Sequence, residues 1–300
     1  MKLFFYQCLK PNFGDVLNTW MWPKLLEDVW DEEDNSIFVG IGSIINDKFP
    51  KDKLKIVFGA GYGGYTALPV IDKTWKFYFV RGKLTAKAVG INEKLGVGDS
   101  AILLRSLIKS KVSKKHQISY IPHYASTFDG NWELVCNLAS VNYIDPCLPV
   151  EVVLEQIQAS ELVITEAMHG AIVSDALRVP WIPIKPLANV HSMKWFDWAS
   201  ALNLDLKPRE MVGSSLLEST VLFFQERNPK IADRFHRRGQ FLQNVAAEAF
   251  AQRAADRLLG ISKNYPACLS ADASIKNAHE QMLTKLDDLV SDLGKGKLVY

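Results

Sequence analysis

The sequence predicts an α/β protein with two doubly wound, Rossmann-like domains that face each other across a cleft, followed by C-terminal helices. Short apolar segments alternate with helical patterns, as in a parallel sheet covered by helices. This alternation stops at the basic stretch Lys109–His116 and then starts again. Beyond the second block only helical patterns remain. We therefore place the N-terminal domain at 1–112, the second at 113–212, and helices that pack on the domains at 213–300.

The strand candidates are short apolar runs, and helical patterns lie between them. In the first block the predicted strands are Lys2–Gln7, Ile37–Ile41, Lys55–Phe58 and Lys76–Val80, with helices over Asp15–Val29 and Lys83–Val89. In the second block the predicted strands are Ile118–Ile121, Val141–Ile144, Leu162–Ile164 and Pro180–Ile184, with helices over Trp132–Leu138, Val150–Ala159 and the segment after His169. The last predicted helical regions are 214–260 and 270–292.

Composition narrows the classes of function. The 300 residues are 48% hydrophobic, which is enough for a sizeable core, and a net charge of +2 does not indicate a nucleic-acid partner. Cys8, Cys136, Cys147 and Cys268 are widely spaced, so we expect reduced thiols and no metal site. No apolar run reaches the roughly 18 residues of a membrane span, and the N-terminal run is too interrupted for a signal peptide. We expect a soluble, cytoplasmic protein.

Two histidines follow strands of the second block. His169 and Gly170 lie on a predicted strand-to-helix turn, where free backbone N–H groups and the helix dipole favour an anion. His123 closes the first strand of the same block. An isolated histidine is more often structural, but two at equivalent strand ends favour a functional role. Lys185 adds a cation after the last strand. The sequence therefore predicts an anion site with a titratable imidazole.

Polar residues also follow the strands of the first block. Asn12 and Asp15 lie on the first turn, where Asp15 either caps the helix or contacts a substrate hydroxyl. Asp99 has the same two interpretations. Arg81 is suited to grip a carboxylate or phosphate, or else forms a surface ion pair. Gly59–Gly64 fits G-x-G-x-x-G, but a proline-broken segment follows it, which disfavours a nicotinamide site.

Two further segments have competing interpretations. Arg234–Arg238 lies in a helical region and is either a solvated face or a site of attraction to an anionic membrane surface. Trp195–Trp198 contains three aromatic residues, which favour packing over a sugar-binding platform.

In this order, the strand-end segments resemble those of the polysaccharide pyruvyl transferase family, in particular its bacterial exopolysaccharide branch that forms ketals. The matching segments are Asn12–Asp15, Gly42–Ser43, Phe58–Gly61, Val80–Gly82, Gly98–Asp99, Ile121–His123 and Met168–Gly170. They cover about residues 1 to 190. The resemblance implies a fold like that of the two-domain GT-B glycosyltransferases, with the acceptor on the first domain and the donor on the second.

The resemblance also implies the chemistry. The donor is phosphoenolpyruvate, the acceptor is a sugar of a polysaccharide repeat that is linked to a lipid, and the product is a cyclic pyruvate ketal with release of phosphate. No other cofactor, metal or nucleic acid is implied, and a lipid-linked acceptor implies peripheral contact with the inner face of the plasma membrane.

The family's roles carry over onto matching positions. His169 is expected to be the general acid, and Asp15 to orient or deprotonate the acceptor hydroxyl. The expected donor-binding residues are Arg81, His123, Gly170 and Lys185, and the expected acceptor-binding residues are Asn12 and Asp99. The sequence departs from the family pattern at Ala167, where some branches have an arginine that helps to bind the donor.

Two other functions stay open. A GT-B glycosyltransferase that uses a nucleotide-sugar has the same fold, although the second block lacks a convincing pair of spaced glutamates around Glu151–Glu166. A non-catalytic protein that binds a sugar or an anion is compatible with the absence of arginine at Ala167.

Overall fold

The computed structural model describes residues 1–7, 10–32, 35–110, 112–185, 192–225 and 227–294, and within them it shows a mixed α/β protein with parallel sheets and many helices. The strands are β1 (Lys2–Phe4), β2 (Ser36–Val39), β3 (Leu54–Phe58), β4 (Trp75–Phe79), β5 (His116–Ile121), β6 (Asn142–Tyr143), β7 (Ser160–Thr165) and β8 (Trp181–Pro183). The α-helices are α1 (Phe13–Leu25), α2 (Lys83–Ala88), α3 (Leu104–Leu107), α4 (Ser126–Asp129), α5 (Trp132–Ala139), α6 (Val150–Gln158), α7 (Met168–Ala176), α8 (Ser192–Leu202), α9 (Leu216–Gln225), α10 (Pro229–Arg238), α11 (Ala247–Asn264) and α12 (Asp272–Asp292).

The first compact unit contains a parallel sheet in the order β1-β2-β3-β4. It comprises Met1–Ser110, Met193–Leu206 and Ser270–Tyr300. The strands are rich in Ile, Val and Phe, as expected of a parallel sheet that is covered by other elements. Trp22 of α1 packs edge-on against Phe38, with ring centroids 4.7 Å apart, and both side chains are buried. This contact fixes α1, and the turn that precedes it, against the sheet.

The second compact unit contains a parallel sheet in the order β6-β5-β7-β8. It comprises Lys111–Ser192 and Lys207–Leu269. The chain moves from β5 to β6 on one side and then to β7 on the other side of β5, so the strand order reverses between β5 and β7. In open α/β sheets, ligands bind beyond the carboxyl ends of the strands at such a switch point.

The predicted strands are all confirmed, and most of their bounds shift by one or two residues. The predicted helix Asp15–Val29 is Phe13–Leu25 in the structure, because the chain becomes helical directly after Asn12 and is extended at Leu26. The reversal of strand order that marks a doubly wound sheet is present in the second sheet, whereas the order in the first sheet is sequential.

The chain passes between the two compact units more often than the domain boundaries predicted from the sequence imply. The first passage falls between Ser110 and Lys111, within the predicted basic linker, whose Lys111 lies outside the described residues. The structure groups α8 and α12 with the first sheet and α9 to α11 with the second. The cysteines at 136, 147 and 268 are free thiols, and Cys8 lies outside the described residues. Among the described residues, no helix combines the length and apolar character needed to cross a bilayer.

Candidate active site

His169 is the second residue of α7, directly beyond β7. The turn is held by Thr165, whose hydroxyl oxygen accepts a hydrogen bond from the Ala167 N–H at 3.0 Å. A Cβ on Gly170 would lie 2.4 Å from that oxygen, so the close approach of α7 to β7 requires glycine. His169 is 9% exposed. The predicted geometry is confirmed, since the imidazole belongs to a residue at a helix N-terminus, where anions are stabilised.

Glu166 joins the carboxyl ends of β5 and β7. It is fully buried, and its two carboxylate oxygens accept from the His123 N–H at 2.9 Å and from the Ser126 hydroxyl at 3.0 Å. Because β5 and β7 pair directly, His123 and His169 follow neighbouring strands at one edge of the sheet. Sequence reasoning missed this role of Glu166. Its position directly after a strand was the available signal.

Lys185 follows β8 at the same carboxyl edge. Its ammonium lies 3.2 Å from a Glu210 carboxylate oxygen, and both side chains are largely exposed. The Lys185 N–H donates to the Arg209 carbonyl at 2.9 Å, which brings the Arg209 backbone to this edge. The predicted role of Lys185 in donor binding stays a prediction.

A second buried carboxylate, Glu218 of α9, lies in the same unit. It accepts hydrogen bonds from Trp132 Nε1 at 3.0 Å and from the Ser214 N–H and hydroxyl at 2.6 and 2.8 Å. Burial raises the pKa of Glu218 to about 8, and the nearby Glu166 charge raises it further. This carboxyl group therefore changes its protonation state near neutral pH.

A cavity of about 310 Å³ borders Glu218 and Ser126 between α4, α9 and α10. Asp129 and His236 also line it, with His236 Nδ1 2.7 Å from an Asp129 carboxylate oxygen. Burial raises the pKa of Asp129, and the hydrogen bond and charge of His236 oppose that shift. The cavity therefore adjoins the Ser126–Glu166 contact at the switch point of the sheet.

In the first unit, Asn12 and Asp15 lie together at the carboxyl edge of the sheet. The Asn12 amide donates to an Asp15 carboxylate oxygen at 2.8 Å. A Cβ on Gly42 would lie 3.8 Å from the other Asp15 oxygen, which places the turn after β2 beside this carboxylate. The interpretation of Asp15 as the helix cap is wrong, because Asn12 is the N-cap and Asp15 is the third helical residue. The interpretation as a contact for a substrate hydroxyl stays a prediction.

Arg81 is fully buried at the end of β4 and forms an ion pair with Asp197 of α8, with Nε 2.9 Å from Oδ2. Its other nitrogens donate to the Ser43 hydroxyl at 2.6 Å and to the Tyr62 carbonyl at 3.2 Å. A Cβ on Gly61 would lie 2.1 Å from the guanidinium carbon. The ion pair is buried, so the prediction of a surface pair is wrong. The predicted role of Arg81 in donor binding stays a prediction.

Asp99 caps the 3₁₀ helix Ser100–Leu103, since its carboxylate accepts from the Ala101 N–H at 3.0 Å. The cap interpretation is thus confirmed for this buried residue, and its role in acceptor binding stays a prediction. No helix follows Gly59–Gly64 within the described residues up to Thr74, as expected from the proline-broken segment. Trp195 and Trp198 are buried, which confirms packing. Sequence reasoning missed Asp197 between them.

Tyr65 belongs to the same edge and was also missed. Its side chain packs against Gly63, where a Cβ would lie 2.2 Å from the tyrosine ring. Burial raises the pKa of Tyr65 to about 12, while the charge of Arg81 lowers it and that of Asp15 raises it. The residue is nevertheless 49% exposed. It therefore offers an aromatic surface next to the Asn12–Asp15 pair.

The residues that the sequence predicts for the site all lie in the part of the chain that matches a known family. The model of the polysaccharide pyruvyl transferase family matches residues 6–186. The chain is also 33% identical, over an alignment of 316 residues, to the succinoglycan biosynthesis protein ExoV of Rhizobium meliloti (strain 1021). The alignment covers 97% of this chain and 99% of that protein. The chain belongs to the polysaccharide pyruvyl transferase family. It is accordingly a transferase, and the resemblance found in its strand-end segments is confirmed.

Proposed function

We propose that the protein transfers the pyruvyl group of phosphoenolpyruvate to a sugar of an exopolysaccharide repeat, forming a cyclic ketal and releasing phosphate. The observation that carries this proposal is the family match together with the position of His169 at the N-terminus of α7, beside the switch point. The near full-length similarity to a succinoglycan biosynthesis protein supports a polysaccharide acceptor. In this proposal the lipid-linked acceptor brings the protein to the cytoplasmic face of the membrane.

His169 acts as the general acid. Its imidazolium gives a proton to the methylene carbon of phosphoenolpyruvate, which makes C2 electrophilic, and a first sugar hydroxyl adds to C2 as it loses its proton. The C2–O bond to phosphate then breaks, and a second hydroxyl closes the ring with loss of its proton. The N–H groups at the start of α7 stabilise the anionic donor. His123 and Lys185 assist in donor binding from the neighbouring strand ends.

The acceptor is assigned to the first unit. Asp15 orients or deprotonates the attacking hydroxyl, Asn12 holds the Asp15 carboxylate, and the exposed ring of Tyr65 offers a stacking surface for a sugar. Arg81 and Asp99 support this edge through the contacts that bury them.

Phosphate release from phosphoenolpyruvate, with extracted lipid-linked oligosaccharide as the acceptor, tests the proposal. We expect release that requires the acceptor and that falls by about 10²–10⁴-fold in His169→Gln, the usual contribution of a general acid. His116→Gln is the matched control, because His116 lies at the opposite end of β5. Equal rates for the two variants would remove His169 from the mechanism. Turnover of a nucleotide-sugar without phosphate release from phosphoenolpyruvate would identify a glycosyltransferase instead, and binding of phosphoenolpyruvate without turnover would indicate a binding protein.

A further inference from the structure

A basic surface with exposed aromatic side chains lies in the second unit, on α9, α10 and the turn that follows them. Residues 226–238 contain Arg227, Lys230, Arg234, Arg237 and Arg238 but only two acidic residues. These five basic side chains are exposed. In contrast, Ala232 is buried and His236 is half-buried on the face of α10 that lines the cavity beneath it. Because α10 buries one face and exposes its cations, it is an amphipathic helix.

Most of this charge is not neutralised by the residues that the structure describes. Arg237 is paired with Asp233 on the preceding turn of α10. Arg234 and Arg238 form no ion pair with any residue that the structure describes. Together with Arg237 they border a surface cavity of about 310 Å³. Such a cavity is large enough for a phosphate headgroup, and three guanidinium groups around it favour an anion.

Apolar side chains accompany these cations. Phe241 is 70% exposed and Phe223 is 53% exposed. The Arg227 guanidinium lies 4.1 Å from the centre of the Phe223 ring, so an aromatic ring and a cation share one patch. A soluble polyanion needs only the cations. A lipid surface uses both, because anionic headgroups attract Lys and Arg while aromatic rings enter the boundary between headgroups and acyl chains.

We infer that this surface, formed by Phe223, Arg227, Lys230, Arg234, Arg238 and Phe241, docks the protein onto an anionic phospholipid membrane. This deepens the proposed function, since it assigns the residues that bring the enzyme to a lipid-linked acceptor. The docking itself requires no turnover, so the two proposals can fail independently.

Sedimentation of the full-length protein with vesicles tests the inference. Vesicles of phosphatidylglycerol mixed with phosphatidylcholine are compared with vesicles of phosphatidylcholine alone. We expect binding to the anionic vesicles that weakens with added salt. The double variant Arg234→Gln/Arg238→Gln loses about fivefold per cation, or about 25-fold in total. The control Arg253→Gln/Lys263→Gln removes the same charge from exposed positions on α11 and retains binding.

Three results would overturn the inference. The first is equal binding to both kinds of vesicle, and the second is an equal loss of vesicle binding in the test and control variants. The third is a Phe241→Ser variant that binds the anionic vesicles like the unmodified protein, while dextran sulfate displaces both proteins from the vesicles completely. The last result would assign the surface to a soluble polyanion. Transfer to a delipidated oligosaccharide acceptor is expected to be unchanged in Arg234→Gln/Arg238→Gln. Loss of vesicle binding with that activity retained separates docking from catalysis.

Discussion

At the carboxyl edges of the two sheets, buried ionisable side chains have different kinds of partner. In the first unit, Arg81 and Asp197 are both fully buried, and opposite charges lie 2.9 Å apart. In the second unit, the buried carboxylate of Glu218 accepts its hydrogen bonds from the neutral donors Trp132 and Ser214. The pKa of Glu218 is accordingly raised to about 8 by burial. One edge is held by a buried ion pair, and the other contains a buried carboxyl group whose pKa is raised to about 8.

From this difference we expect the two edges to have different roles. The Arg81–Asp197 pair is buried and holds neighbouring groups in place, since the Arg81 guanidinium donates to the Ser43 hydroxyl. Groups with shifted pKa values concentrate where proton transfer takes place. Two histidines, His123 and His169, follow strands of the second sheet. We therefore expect proton chemistry in the second unit and positioning of the acceptor in the first.

The largest expected effect comes from breaking the buried ion pair. Asp197→Ala leaves the Arg81 guanidinium buried without its carboxylate, which we expect to lower the free energy of unfolding by about 3–5 kcal/mol. Urea denaturation measures this loss. In the double variant Arg81→Met/Asp197→Leu both charges are absent, so part of the stability should return, while the Thr85 N–H and hydroxyl still lack the carboxylate to which they donate. A loss below about 1 kcal/mol in Asp197→Ala, the value typical of exposed pairs, would show that the pair does not hold this edge together.

A smaller effect is expected from the carboxylate that joins β5 and β7. Glu166→Gln weakens two hydrogen bonds to a charged acceptor, and we expect a loss of about 2 kcal/mol in unfolding free energy together with slower turnover. Ser126→Ala is the control, because it removes one of these bonds and keeps the bond to the His123 backbone. Slower turnover in Ser126→Ala but not in Glu166→Gln would contradict a positioning role for Glu166 at His123.

The sequence could predict which polar residues share a sheet edge where those residues directly follow strands. Carboxyl ends of parallel strands meet at one edge, so Asn12 with Asp15, and His123 with His169, could be grouped from the positions of short apolar runs. The partner of Arg81 could not be predicted in this way. Asp197 is 116 residues away, on a helix that returns to the first unit after the second sheet is complete.

The environment of Glu218 was also beyond sequence reasoning. Glu218 lies in a helical segment, where a glutamate is usually exposed, and nothing local shows that Trp132, 86 residues away, donates to it. The interpretation of Asp15 as a cap failed for a related reason. The choice between Asn12 and Asp15 as the N-cap depends on where the backbone becomes helical, and helix ends are poorly determined by pattern alone.

The pH dependence of stability tests the charge state of the second edge. The pKa of Glu218 is about 8 in the folded protein, against an ordinary value of 4.5. Between these values the folded state holds a proton that the unfolded state has lost. The free energy of unfolding should therefore fall as pH rises from 4.5 to 8, by at most about 1.4 kcal/mol per pH unit from this group, and level off above. Melting curves recorded over this pH range should show a flatter dependence of stability on pH in Glu218→Gln. The control Glu248→Gln, at an exposed site on α11, should keep the pH dependence of the unmodified protein. Equal slopes for both variants would show that Glu218 is ionised throughout.

The smallest effect on stability is expected from substitution of Lys185. This substitution should weaken donor binding while the protein remains folded. The exposed pair with Glu210 contributes at most about 1 kcal/mol, so Lys185→Gln should unfold almost like the unmodified protein. If the ammonium contacts phosphoenolpyruvate, the loss of one charge-assisted contact raises KM about tenfold and leaves kcat unchanged. Glu210→Gln releases Lys185 from its partner without removing the cation, and its KM should not rise. An unchanged KM in Lys185→Gln would exclude this lysine as the replacement for the arginine that some branches of the family have at the position of Ala167. The backbone N–H groups of α7 and the histidines would then bind the donor without it.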